Sequence, residues 1–336
     1  MVIIVYEKGL CSVICLGYNH ANFLKNNIES IWRQEYQKKE IIVVDDGSKD
    51  NSLDLLQKLT AIAPIPMTVI SQENTGNIGR NFNNGLKAAR GEFVLFISLD
   101  DVLVDNIISM RADLMNANPT LAFVANSRVM LIDDYGSEKT SADSLRIDSM
   151  VDPSASDLLE LEYEEFGAFY LQNCMLRRDV IDIVGGFNED MIGDDIVLRI
   201  KIFRFLKKQQ KYTFKILKSV GACYRLHDNN IHKNSIRQMK IVTECLERFF
   251  PERKNPTILL NWAKGVIRDS TFEEYIEMFT FNKRASNLLL EPEIQKEIFK
   301  SVIGNRGLYI PLFKKEKRGE DRTITMFGLI KYHYKK

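Results

Sequence analysis

The chain has 336 residues, 45% hydrophobic and 27% charged, enough for one large domain plus an appendage. Its 46 Lys and Arg nearly balance 45 Asp and Glu, so it lacks the global field of a nucleic-acid binder. Five scattered cysteines, Cys11, Cys15, Cys174, Cys223 and Cys245, sit mostly in apolar runs and read as reduced core residues; no disulfide framework or zinc site is expected.

The opening MVIIVYEKGLCSVICLGYN is apolar but broken by Glu7, Lys8 and Gly9. It lacks a basic start and a small-residue cleavage site, which argues against a signal peptide. No run approaches the roughly 18 apolar residues that a membrane-spanning helix needs. Apolar, β-rich runs follow at 11–16, 40–44, 67–71 and 92–99 and predict strands. Helical patterns lie between them, at 23–34 with Ile28, Ile31 and Trp32 on one face, at 52–60 and at 79–89. Near-continuous hydrophobic strands alternating with helices predict a mostly parallel sheet covered on both faces.

Ligands bind such sheets beyond the carboxyl ends of the strands. The polar residues there are Gly17-Tyr18-Asn19-His20, Asp45-Asp46-Gly47-Ser48, Gln72 to Gly76, and Asp100-Asp101. A pocket floored by four aspartates repels an anion unless a cation sits there too, and oxygen-rich sites suit Mg²⁺ or Mn²⁺. Neither GxxxxGK[ST] nor a GxGxxG after the first strand is present, which sets aside a Walker loop and a dinucleotide fingerprint. Gly76 and Gly79 lead into a helix where backbone donors and Arg80 would meet a phosphate, although glycine before a helix is also ordinary turn chemistry.

The blocks SVICLGYN, SIWRQEY, EIIVVDDGSKDNS, ENTGNIGRNFNNGLKAARGEFVLFISLDD and MLRRDVIDIVGGFNEDMIGDDIVLRI together resemble family 2 glycosyltransferases over about residues 11–205. The resemblance implies an α/β chain of the GT-A fold, Rossmann-like with helices flanking a mostly parallel sheet; the helical pattern from about residue 236 adds a C-terminal helical appendage. It implies an inverting enzyme of the hexosyltransferase type, using a nucleotide diphosphate sugar, UDP-sugar first, and a divalent cation, Mn²⁺ or Mg²⁺. The acceptor would be a glycan or lipid-linked glycan of a bacterial surface polysaccharide, and the location the cytoplasm. By the same resemblance Tyr18, Asn19, Asp45, Asp46, Asn74, Gly76, Arg80, Ser98 and Leu99 would bind the nucleotide. Asp100 and His227 would hold the metal, with Asp101 ranked behind them and His232 as a second choice of histidine.

Ser98 departs from the family, whose metal motif is usually Asp-x-Asp; Asp100 matches its second acid. A noncatalytic nucleotide-sugar-binding or scaffold protein is therefore the alternative. Asp194-Asp195 stands where the family carries Glu-Asp, making Asp195 the general base and Asp194 its orienter or an acceptor contact. If a helix starts there, its N-terminus favours an ionised carboxylate; Asp is equally a favoured cap. Arg225 is a candidate to neutralise phosphate charge.

The expected division is 1–235 as the catalytic domain, with 1–101 holding nucleotide and 102–235 acceptor and base, and 236–336 as a helical region with a basic tail. The acidic stretch 127–166 reads as a solvated face near the acceptor side, and Tyr163, Phe166, Phe169 and Tyr170 as sugar-stacking or core aromatics. In the tail, Lys314, Lys315, Lys317 and Arg318 precede ITMFGLIKYHYKK. Two readings stay open there: contact with an anionic membrane surface on the cytoplasmic face of the inner membrane, or a packed helix or strand with exposed lysines.

Overall fold

A computed structural model of the chain describes residues 6–138, 143–228, 230, 233–304, 313–318, 321–326 and 330–335. The chain forms two compact units, Met1–Ile258 and Leu259–Lys336. In the first, the order is β1 (Glu7–Gly17), α1 (Leu24–Trp32), β2 (Lys39–Asp45), α2 (Ser52–Ala61), β3 (Met67–Ser71), α3 (Ile78–Ala88) and β4 (Gly91–Ser98). Then come β5 (Val102–Leu103), α4 (Ile107–Ala117), β6 (Leu121–Ile132), β7 (Asp143–Ser144), α5 (Ala155–Glu164), β8 (Cys174–Arg177), α6 (Arg178–Val184), α7 (Asp195–Lys208), β9 (Thr213–Arg225) and α8 (Ser235–Phe249).

The strands line up as β3-β2-β1-β4-β8-β6-β9-β5, with β7 beside β6. The first four are parallel. The sheet turns mixed at β8, which runs antiparallel to both β4 and β6, while β6 and β9 are parallel. The period of two splits each central strand between two cores. Ile14, Ile42, Val94 and Phe96 face the core under α3, α5, α6 and α7; Val13, Cys15, Ile41, Val43, Leu95 and Ile97 face that under α1, α2 and α4. Helix α1 buries Leu24, Ile28 and Ile31, one stripe at helical spacing. Helix α3 lies so close to β1 that a Cβ on Gly85 would sit 2.4 Å from Ile14 Cγ2.

Four cysteines are buried and Cys223 is half-buried, all as free thiols. Burial raises the Cys11 thiol to about 12, so it stays protonated. In the acidic stretch, Glu160 pairs with Arg253, and Glu164 and Glu165 with Arg146. Glu162 departs from the expected solvated face: it is buried against Arg199. Phe169 belongs to the core, and Tyr170 stacks on Tyr224.

Helix α8, placed by the sequence reading at the head of the appendage, lies in the first unit. The second unit begins within α9 (Thr257–Asp269) and continues through α10 (Phe272–Phe279), α11 (Lys283–Leu288) and α12 (Pro292–Gly304). It buries Leu259, Val266, Met278, Phe279 and Leu288. The tail forms strands rather than helix: β10 (Phe313–Arg318), β11 (Asp321–Met326) and β12 (Ile330–Lys335) make an antiparallel sheet. Among the described residues no helix is long and apolar enough to cross a membrane.

Candidate functional site

A cleft of about 800 Å³ opens at the carboxyl ends of β1 and β4 and is bounded across from them by the start of α7. Its rim loops are bound to one another. Asn19, at φ 57°, donates its N–H to Ser48 Oγ (2.8 Å) and accepts the Lys49 N–H at Oδ1 (2.8 Å). That ties the loop after β1 to the loop after β2. Asp46 then collects the loop after β3, accepting from the Thr75 N–H (2.9 Å), Thr75 Oγ1 (3.1 Å), the Gly76 N–H (3.2 Å) and Gln72 Nε2 (3.0 Å). Burial alone would raise the Asp46 carboxyl; these donors outweigh it and hold the group below its ordinary value.

At the end of β4 the chain makes a three-residue cluster. His227 Nε2 lies 3.0 Å and His20 Nε2 3.8 Å from Asp100 Oδ2, and the three donor atoms all lie within 4.8 Å of one another. Asp100 Oδ1 and His20 Nδ1 are buried and make no hydrogen bond. The two imidazoles face Oδ2, and with Oδ1 left bare the same carboxylate keeps lone pairs that no protein donor satisfies and that a divalent cation would take. Burial acts most strongly on His20 and lowers its pKa, with His227 adding to the effect against Asp100, so the ring is neutral and free to ligate. Burial would raise Asp100 too, but the hydrogen bond with His227 leads the contributions that leave it lowered.

Asp101 serves the frame. Its carboxylate accepts the Arg225 N–H (3.0 Å) and Gln172 Nε2 (3.1 Å), and burial, then the Asp100 charge, push it well above the usual carboxylate range. Arg225 is not the expected phosphate partner. It is buried and donates to the carbonyls of Asp100 (2.7 Å), Asp133 (2.7 Å) and Asp134 (3.0 Å), locking the strand end that carries Asp100.

Helix α7 begins at the cleft, with Asp194 as N-cap accepting the Asp195 N–H. Asp195 Oδ1 accepts the Ile196 N–H (2.6 Å), and Oδ2 accepts from Arg199 Nη1 (2.6 Å). Arg199 also grips Glu162 at 2.6 and 3.1 Å. The two carboxyls of the cleft are thereby pushed apart. Burial, then the Asp195 charge, raise Asp194 to about 7; for Asp195, burial is outweighed by Arg199 and the carboxyl is held low.

Of the residues expected to bind nucleotide, Tyr18, Asn19, Asp46, Asn74, Gly76 and Ser98 line the cleft. Asp45 does not, its carboxylate being taken by the Ser48 N–H and hydroxyl. Arg80 does not either, because its guanidinium pairs with Glu189 at 3.2 Å. Leu99 is buried against Gly17, where a Cβ would meet its Cδ1 at 2.4 Å, so its place is structural. Gly79 is small because the Asn188 carbonyl approaches where a Cβ would stand, 2.9 Å away. His232 falls outside the described residues.

Two lining residues were missed. His20 lies in the GYNH loop already marked as a strand end, and pairing it with His227 needed the fold. Arg237, in the first turn of α8, brings a positive charge to the cleft near Asp194. A basic residue just inside a predicted helix start was the available signal.

The model of glycosyl transferase family 2 matches residues 12–187, more than half of the chain. The chain belongs to glycosyl transferase family 2. Family relatives include the glycosyltransferase GlyG of Streptococcus pneumoniae, 36% identical over 99 residues, 30% of this chain and 33% of the relative. The GalNAc(5)-diNAcBac-PP-undecaprenol beta-1,3-glucosyltransferase of Campylobacter jejuni is 28% identical over 194 residues, 57% of this chain and 59% of the relative. The chain thus matches less than two thirds of the length of each. Among solved structures, Staphylococcus aureus TarS 1-349 in complex with UDP-GlcNAc aligns with TM-score 0.55 at 14% identity, covering 97% of this chain and 99% of that one. Mannosyltransferase PcManGT from Pyrobaculum calidifontis, in complex with GDP-Man and Mn2+, aligns with TM-score 0.54 at 16% identity over 88% and 86% of the two chains. At these identities the likeness carries the fold, and the family 2 chain has the GT-A architecture.

Proposed function

We propose that the chain is an inverting glycosyltransferase that moves a sugar from a nucleotide diphosphate sugar, UDP-sugar first, to a hydroxyl of a glycan or lipid-linked glycan. The observation that carries this reading is one cleft lined by Asp194 and Asp195 at the start of α7 and by His20 and His227, whose Nε2 atoms converge on the Asp100 carboxylate at the end of β4. Displacement with inversion needs a leaving-group clamp on one side of the anomeric carbon and a base on the other. Tyr18, 40% exposed at the mouth, offers a ring face for the nucleotide base, and Arg237 a charge for the diphosphate. Asp195 accepts the proton of the attacking hydroxyl, and Arg199 keeps its carboxylate ionised and aimed. A divalent cation on His20, Asp100 and His227 would supply Lewis-acid relief of charge on the departing diphosphate.

Geometry favours a second assignment of the base: Asp194 also lines the cleft, and both Asp195 oxygens are already engaged, by the Ile196 N–H and by Arg199. Asp194, pushed up to about 7, is better matched to a proton transfer near neutral pH than a carboxylate held low by Arg199. Calorimetry of UDP, GDP and dTDP with and without Mn²⁺ identifies the carrier, and release of nucleoside diphosphate from the matching sugar donors reads turnover. Loss of turnover in Asp195→Asn with nucleotide binding retained supports Asp195; loss only in Asp194→Asn moves the role to Asp194. Nucleotide binding without turnover on any donor and acceptor tried would leave a noncatalytic binding protein. Tail contact with an anionic membrane surface belongs to the same proposal, carried by the basic sequence of 314–318 and tested by co-sedimentation with phosphatidylserine vesicles.

A further inference from the structure

We propose that Glu244 is a positioning residue for the carboxylates of the cleft, holding from α8 the main-chain loop that delivers Asp194 and Asp195. The inference rests on reading those two carboxylates as the reacting pair and adds what fixes them.

One stripe of α8 faces that loop. Arg237, Ile241, Glu244, Cys245 and Arg248 recur at the three- and four-residue intervals that put side chains on one face of a helix. Their contacts run antiparallel to the loop, from residue 194 back to 190. Arg237 lines the cleft beside Asp194. A Cβ on Gly193 would stand 3.2 Å from Ile241 Cγ2 and 3.3 Å from Cys245 Sγ. Glu244 Oε2 accepts the Ile192 N–H at 2.8 Å, and Arg248 reaches Asp190 at 3.1 Å. The helix is itself fixed at both ends. Asn234 caps its start, accepting the Arg237 N–H at 2.9 Å, and Arg204 of α7 donates to the Phe249 carbonyl at its end.

Among these contacts the one from Glu244 carries the most weight. Ile192 and Gly193 lie just before the N-cap, where the ladder of α7 offers their N–H groups no acceptor. Burial raises the Glu244 carboxyl, and the Ile192 and Gly193 N–H groups act against it, as charge-assisted donors do. The side chains of Arg248 and Asp190 are 57% and 60% exposed, so solvent screens that pair to little. Ile241 and Cys245 press on Gly193 without setting a direction. Asp194 turns its carboxylate onto the Asp195 N–H, so its aim follows the main chain at 193–195. The burial that raises Asp194 therefore depends on α8 keeping this loop in place.

The test compares Glu244→Ala and Glu244→Gln with the parent in the full chain. Glutamine loses the charge but keeps an acceptor oxygen for the loop; alanine loses both. In Glu244→Ala the Asp194 carboxyl, followed by carboxyl ¹³C NMR and assigned with Asp194→Asn, should titrate lower by about one pH unit as water reaches it. Asp195 and Arg237, the charged groups facing it, stay in place. The kcat for release of nucleoside diphosphate from UDP-glucose or GDP-mannose should fall about ten-fold or more, with KM held within about two-fold. Glu244→Gln should restore most of both. Parent-like titration in Glu244→Ala overturns the proposal, as does a loss shared equally by the glutamine variant or one that tracks a general fall in thermal midpoint. A lowered Asp194 titration with no affinity for UDP, GDP or dTDP and no turnover upholds the positioning role and removes the nucleotide-sugar reading. Unmoved titration alongside parent-like turnover removes the role and leaves that reading intact.

Discussion

Replacing Arg199 by Met tests the electrostatic frame behind the candidate base. Arg199 is nearly enclosed, its side chain 4% exposed, and the Glu162 side chain it grips is 0% exposed. Removing the guanidinium leaves Glu162 with the Ala168 N–H at 3.1 Å as its remaining donor and Asp195 without its cation. Stripping one partner from a buried ion pair costs about 3–5 kcal/mol, which for a unit of this size is a fall of roughly 6–20 °C in thermal midpoint. Glu162 is already raised by burial even beside Arg199, and in the variant it rises further. A carboxyl whose folded pKa lies above its unfolded one binds the extra proton in the folded state, so stability falls as pH rises through that window. The deficit should therefore shrink when urea or thermal melts are run at pH 5 instead of pH 7. Adding Glu162→Leu to Arg199→Met should recover most of it, because an apolar pair replaces an orphaned charge. A loss below about 1 kcal/mol, or a double variant as unstable as the two singles summed, would refute the buried-pair account.

Gly17→Ala drives a Cβ into Leu99 and should cost about 1–3 kcal/mol, read as a lowered denaturation midpoint; an unchanged midpoint would mean that strand end is looser than described. Asp46→Ala frees the Thr75 and Gly76 amides, which should exchange hydrogen much faster in a mass-spectrometric time course while those of β4 hold their protection. Asp194→Asn keeps a cap but deletes a carboxyl raised to about 7. Since that group favours the fold below its unfolded pKa and loses this as pH climbs toward 7, the variant should show a flatter stability profile between pH 4 and 7, checked by melts across that range.

The parallel half of the fold was legible because its four strands are apolar runs separated by amphipathic helices, and Ile28 and Ile31 lie buried where the period puts them, with Trp32 half-buried against the same core. The mixed half was less so. Strand β8 spans Cys174–Arg177, too short for a periodicity to register, and its antiparallel pairing depends on β6 arriving from 50 residues earlier. Strand ends announced the site through Asp46, Ser98 and Asp100, but the distribution of labour among adjacent charges did not show. Arg80 and Arg225 read alike as phosphate cations; one is a surface partner of Glu189 and the other a buried clamp on carbonyls. Glu162 looked like one more member of an acidic surface, and only the arrival of Arg199 from α7 made its burial tolerable.

The pair Asp100-Asp101 has a consequence for how mutational surveys of this chain will read. One neighbour turns its carboxylate to the histidines, the other to a main-chain amide and Gln172. If Asp100 holds the proposed cation, an alanine at either position would silence the same assay, the first by emptying a coordination sphere and the second by letting the strand end drift from the clamp of Arg225. Activity alone would score them as twins. A calorimeter would separate them, since the first leaves a sound fold without its ion and the second a weakened fold whose donors no longer meet.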